Sequence, residues 1–189
     1  MRVIKRVLSQ LHRYVLWLLI SAVLWGFVFT RITDTSKQKK VTIYTDAPAV
    51  SEITLAAKLE EELPEGIKMV KVRHFTYAAF NSDEPKEADI LILSESSVKE
   101  HIDMLSPIGL EPKEGDLVID GALYGIRVFD LDSGRGAAKD FFTYTYIVSE
   151  SENENYYLCF NKDSLHIGDW NGSADDAAFV IAERLLTLD

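Results

Sequence analysis

The chain has 189 residues, with 20 Lys and Arg against 30 Asp and Glu, a formal net charge of −10 and a single cysteine. One cysteine excludes an internal disulfide framework, and an acidic surface repels phosphate backbones, which argues against nucleic acid as a partner. The charge is uneven: beyond residue 40 stand twelve Lys and Arg against twenty-nine Asp and Glu, a net −17, so basic character gathers at the amino-terminal end.

Residues 1–13 form a basic tail carrying Arg2, Lys5, Arg6 and Arg13. The run from Tyr14 to Phe29, YVLWLLISAVLWGFVF, has no charge and is bracketed by Arg13 and Arg31. As a helix over 14–30 it spans roughly 25 Å at ~1.5 Å per residue, at the short end for a hydrocarbon core of ~30 Å. Trp17 and Trp25 lie near its ends, where indoles favour the membrane interface. The run is read as an uncleaved signal-anchor helix, with Tyr14, Trp17, Trp25 and Phe29 marking the span and membrane lipid as its partner. A cleaved signal peptide and a buried core helix are the alternatives. Four basic residues flank the span on each side, so charge does not orient it; the short tail implies a cytoplasmic amino terminus. The expected arrangement is a single-pass cell-membrane protein with a polar linker over 31–40 and an extracytoplasmic α/β domain over 41–189.

Within that domain Val41–Thr45 reads as a strand. A helix follows from about Val50 to Leu63, with Leu55, Ala56, Leu59 and Leu63 as its apolar stripe, ended by Pro64 and Gly66. Ile67–Phe75 reads as a second strand and Thr76–Phe80 as a helical turn. Ala88–Leu93 (ADILIL) is a continuous apolar run, the mark of a strand covered on both faces in a parallel sheet. A second helix is expected from Ser96 or Ser97, with Ser97 and Glu100 as a capping box and Val98, Ile102 and Leu105 turned inward. Leu117–Ile119 and Leu123–Phe129 read as strands joined at Asp120-Gly121, a favoured hairpin turn. Phe141–Val148 and Tyr156–Phe160 read as an antiparallel hairpin across an acidic loop. A last helix is expected from Ser173, capped by Ser173 and Asp176, with Ala174, Ala178, Ile181, Leu185 and Leu188 on its apolar face. The alternation of strands and helices predicts a layered α/β core.

The opening strand VTIYT with its long helix, then VKVRHF and ADILIL, and then Asp120-Gly-Ala-Leu-Tyr-Gly-Ile-Arg-Val128, resemble the first lobe of extracellular solute-binding proteins of the type 2 periplasmic-binding fold. The last segment is similar to that family's DGKLYGIPV hinge, with Arg127 where proline is usual; Tyr156–Ser164 resembles a lobe-one strand and turn. Members usually have two lobes closing on a ligand, whereas only Phe129–Asp140 stands here where a second would be inserted. No cysteine follows the hydrophobic run, as it does in lipoprotein members. The resemblance implies a single-lobe, helix-anchored relative that binds a small molecule or assists an ABC transporter. The alternative is a cell-envelope interaction or assembly module that uses the former cleft face.

Ligands in open α/β sheets gather at the carboxyl ends of the strands. That edge would be built from Thr45, Asp46, Tyr77, Ser94, Glu95 and Ser96, with Tyr124 approaching it, and its hydroxyls and carboxylates suit a sugar or other polar solute. The plainer reading makes Asp46, Ser94 and Ser96 turn and cap residues. His166 and Asp169 lack further ligands for a metal, and Asp130-Leu-Asp132-Ser-Gly134 lacks the rest of a calcium loop. No Ser/His/Asp arrangement is apparent, so no catalytic residue, metal or cofactor is assigned. Cys159, in an aromatic run, is expected to be a small buried residue.

Overall fold

The computed structural model describes residues 2–33, 35–74, 85–130, 132–143, 154–167 and 176–188. It divides into two compact units, Met1–Ser36 and Lys37–Asp189.

The first unit is one helix, α1, Arg2–Thr33. It starts within the expected basic tail, because no Gly or Pro interrupts the sequence between Arg2 and Ser21 and half of these residues are good helix formers. Its described apolar side chains all face outward: Trp17 is 67% exposed and Trp25 72%. Among the described residues no helix is long and apolar enough to cross a membrane.

The second unit is a mixed α/β domain built on a single large sheet. Its strands are β1 (Lys40–Thr45), β3 (Met69–His74), β4 (Ile90–Ser94), β5 (Leu105–Ser106), β6 (Leu117–Ile119), β7 (Ala122–Asp130), β8 (Arg135–Gly136) and β10 (Tyr156–Asn161). The spatial order is β3-β1-β4-β10-β7-β6, with β5 on β10 and β8 on β7. A separate ribbon pairs β2 (Ala49–Val50) with β9 (Phe142–Thr143). β1 runs parallel to β3 and β4, as the apolar run at Ala88–Leu93 implies, while β10 is antiparallel to both β4 and β7.

Period-two alternation builds two cores. Val41, Ile43, Ile90, Ile92, Leu158 and Phe160 point to one face, beneath α2 (Glu52–Leu59) and α4 (Ala177–Thr187). Tyr44, Leu91, Leu93, Tyr157 and Cys159 point to the other, where Val98 of α3 (Glu95–Glu100) and Leu105 cover them. Cys159 is fully buried, as its aromatic neighbours suggest.

Four expectations are corrected. The hairpin between Phe141–Val148 and Tyr156–Phe160 is not formed: β10 is flanked by β4 and β7, and Phe142–Thr143 pairs with Ala49–Val50. Every residue of β10 is buried, so it takes an interior place for the same reason β4 does. The capping box at Ser97 is also absent. α3 begins at Glu95, Ser97 lies inside its first turn, and Ser94 occupies the cap position. α3 ends early, and Leu105 reaches the core from a strand. α2 stops at Leu59, leaving Leu63 to pack from the coil before Gly66 turns the chain at φ 86°. The expected turn at Thr76–Phe80, Ser173, Ala174 and Asp169 lie outside the described residues.

The hairpin turn at Asp120-Gly121 is formed, with φ of 50° and 83°, the positive pair required by the tight turn that matches strand twist.

Candidate functional site

The parallel register aligns the carboxyl ends of β1 and β4, and Asp46 continues the pairing by donating its N–H to the Ile92 carbonyl at 3.2 Å. Asp46 then turns its carboxylate onto the start of α3. It accepts the Ser94 N–H at 3.0 and 3.2 Å and the Ser94 hydroxyl at 2.9 Å. The Ser94 and Ser97 hydroxyls lie 2.9 Å apart. Burial pushes the Asp46 carboxyl above its ordinary range, and hydrogen bonds from Ser97 and Ser94 pull it part of the way back. Thr45, fully buried, accepts the Ala47 N–H on its own hydroxyl at 3.1 Å.

The remaining donors at this edge are taken by the segment entering β10. Ser96 N–H donates to the Glu154 carboxylate at 2.7 Å, and Glu95 N–H to the Asn155 carbonyl at 3.2 Å. The Glu95 side chain pairs with Lys99 one turn on. The structure therefore brings Thr45, Asp46, Ser94, Glu95 and Ser96 together, and their polar groups satisfy one another and the chain. Tyr77 lies outside the described residues. Tyr124 does not approach this edge. Through β10, Arg127 is level with Leu93, so Tyr124, three residues earlier, stands roughly 10 Å back along the strand at ~3.3 Å per residue.

A different concavity lies over β7 and β10 beside α4, with a volume of about 390 Å³. Its floor and inner wall are Leu123, Ile126, Phe160, Phe179, Ala182 and Leu186. Leu123 and Ile126 come from β7, Phe160 from near the carboxyl end of β10, and the other three recur at helical spacing along α4. Glu111, Asp116, Glu183 and Lys113 form its rim. The 113–116 loop that carries part of the rim is pinned to β7. Asp116 accepts the Lys113 N–H at 2.9 Å and the Arg127 N–H at 3.0 Å, and the Arg127 guanidinium packs directly over Gly115. Gly115 has φ 90°, and a β-carbon there would meet the guanidinium at 2.1 Å. An apolar cavity of this size with a few charged groups at its mouth has the character of a small-molecule pocket.

Among the described residues no cluster of His, Cys, Asp and Glu is disposed to hold a metal. Cys159 is fully buried, and burial and the charge of Asp46 push its thiol up, which disfavours the thiolate a nucleophile needs.

No family model matches the chain, and no curated protein matches it. Among solved structures, thiaminase I from Bacillus thiaminolyticus is similar over 48% of this chain and 28% of its own, at 17% identity and a TM-score of 0.33. The chain thus spans little more than a quarter of that protein's length.

Residue types at one sheet edge pointed to Asp46 and the serines but missed Ser97, Glu154 and Asn155, which complete that cluster. The apolar pocket was missed altogether. Its local signal is Phe179, Ala182 and Leu186, apolar residues on α4 beyond the stripe expected to face the sheet.

Proposed function

We propose that this chain is a membrane-tethered, non-catalytic binding domain whose ligand seat is the apolar, acid-rimmed pocket beside α4. The carrying observation is that pocket: a floor of buried aliphatic and aromatic side chains under a mouth where Glu111 and Glu183 form no ion pair among the described residues. The ligand class is a small amphipathic cation, an apolar body with an ammonium group placed at the two glutamates. Burying about 150 Å² of apolar ligand surface contributes roughly 4 kcal/mol before the costs of association, so the ammonium contact must supply the rest of the affinity. The resemblance to a solute-binding lobe supports a binding role. The polar edge at Asp46 and Ser94, whose groups are already paired, is a weaker seat for a sugar.

The tether rests on α1, whose sixteen uncharged residues from Tyr14 to Phe29 present apolar side chains to the outside all round. In this reading the basic tail stays cytoplasmic and the domain faces out from the cell membrane.

The test is the melting temperature of the full chain in nanodiscs with phenethylammonium, its neutral isostere 2-phenylethanol, and glucose. The amine should raise it more than the alcohol, and Ala182→Trp, which fills the pocket, should abolish the shift. Equal shifts for amine and alcohol, or a shift that survives Ala182→Trp, would refute the assignment.

A further inference from the structure

A second cavity, about 260 Å³, lies at the amino-terminal ends of β1 and β4, away from the apolar pocket. Lys37, Lys40, Lys71 and Lys86 line it. The unit 37–189 holds fifteen Lys and Arg against twenty-nine Asp and Glu, so four of its fifteen cations converge on one cavity in an otherwise acidic body. Parallel pairing produces the convergence: Thr42 of β1 is in register with Lys71 of β3, and Lys40 lies two residues before Thr42, so all three share one face of the sheet.

The cavity is built on buried, hydrogen-bonded residues. Its base is Asp89, 5% exposed, whose carboxylate accepts the Thr42 N–H at 2.8 Å and the Ser164 hydroxyl. Ser164 in turn accepts the His166 N–H at 3.1 Å, and His166 Nε2 lies 2.9 Å from the Lys37 carbonyl. Asn161, 1% exposed, fixes two walls at once. Its amide donates to the Lys86 carbonyl at 3.0 Å, and its oxygen accepts the Asp163 N–H at 3.0 Å. Three carboxylates therefore accompany the four lysines: Glu87, which pairs with Lys37 at 2.7 Å, Asp89, and Asp163.

This mixture is selective. Several ammonium groups without arginine suit a phosphate, which lysines meet as point charges. A bare phosphate would also face Glu87 and Asp163 and be repelled by them. A ligand carrying hydroxyls beside the phosphate would turn that repulsion into donated hydrogen bonds. We propose that this cavity binds the phosphate ester of a small polyol, with the phosphate among Lys40, Lys71 and Lys86 and the hydroxyls donating to Glu87 and Asp163. The site is independent of the apolar pocket, so either assignment can fail alone.

The experiment is isothermal titration of the full chain in a non-ionic detergent at low salt, with sn-glycerol 3-phosphate, dihexanoyl phosphatidylglycerol, inorganic phosphate and glycerol. At least one of the two esters should bind roughly tenfold or more tightly than inorganic phosphate, and glycerol should not bind. Tighter binding of glycerol 3-phosphate assigns a soluble source; tighter binding of the lipid assigns a membrane headgroup. The double variant Lys71→Gln/Lys86→Gln should lose about tenfold or more in affinity while changing its melting temperature by no more than roughly 2 °C, since Lys86 is exposed and Lys71 is half-buried with its stem kept by glutamine. The proposal is overturned if neither ester binds at roughly 10 mM. It is equally overturned if inorganic phosphate matches both esters, or if the double variant binds unchanged.

Discussion

The interior position of β10 can be tested through Leu158. This side chain is fully buried on the helix-covered face, opposite Ile92 on one side and Ile126 on the other. Leu158→Ala removes three carbons, worth about 2.4 kcal/mol at about 0.8 kcal/mol each. Strands on both sides limit collapse, and a residual void of ~40 Å³ adds about 1 kcal/mol at ~24 cal/mol per Å³. The expected loss is therefore about 3.4 kcal/mol. For a unit of 153 residues, Lys37–Asp189, an unfolding entropy of ~2.1 cal/mol/K per residue gives about 0.32 kcal/mol/K, so the melting temperature should fall by roughly 10 °C. Val118→Ala is the comparator, because Val118 lies on the outer strand β6 and is 43% exposed; its effect should stay within about 0.5 kcal/mol, under roughly 2 °C. Thermal unfolding of the full chain in detergent, followed by circular dichroism, reads both. A drop of less than roughly 3 °C for Leu158→Ala would place β10 at an open edge and refute the sheet order.

Two further outcomes follow from the same packing. At Gly136 a β-carbon would stand 2.3 Å from the Val128 carbonyl oxygen and 2.7 Å from the Phe129 Cα. Backbone cannot yield as a side-chain tip can, so Gly136→Ala should cost about 3 kcal/mol or more by urea unfolding. Gly121→Ala should cost only about 1 kcal/mol, from its positive φ in open space; a reversed order would refute the close approach of β8 to β7. Cys159 should resist a thiol-specific disulfide reagent at pH 8 in the native chain and react at the rate of global unfolding, since burial excludes the reagent and suppresses the thiolate. Labelling within seconds in the absence of denaturant would show that this face is open.

The parallel core was legible because its signals are local. ADILIL has no polar alternation, so it must be covered on both faces, and the Asp-Gly pair sets its own turn. β10 carries the same kind of signal in YYLCF, yet its place was misread. Sequence neighbourhood suggested pairing with Phe141–Val148, whereas the partners that bury its two edges lie at Ile90–Ser94 and Ala122–Asp130. Burial on both faces specifies an interior strand, but not which strands flank it. The missing capping box has a similar origin. The Ser97-x-x-Glu100 spacing is satisfied on paper, but Asp46, 48 residues before Ser94, fixes the helix start three residues earlier.

That long-range contact also explains why the residues at the carboxyl ends of β1 and β4 come together with their polar groups already paired. In a wholly parallel sheet the strand ends and the following helix start leave N–H groups pointing outward, ready for an anion. Here the strand beside β4 runs the other way, so its entering segment arrives at that same edge. Glu154 supplies a carboxylate to Ser96 N–H and Asn155 a carbonyl to Glu95 N–H, in the place a bound anion would take. The reversal of one strand fills the edge from within. Its opposite end delivers Asp163 and Ser164 beside Lys40, Lys71 and Lys86, where a cavity does remain. The strand direction that fills one end of the sheet thus leaves a lysine-lined cavity at the other.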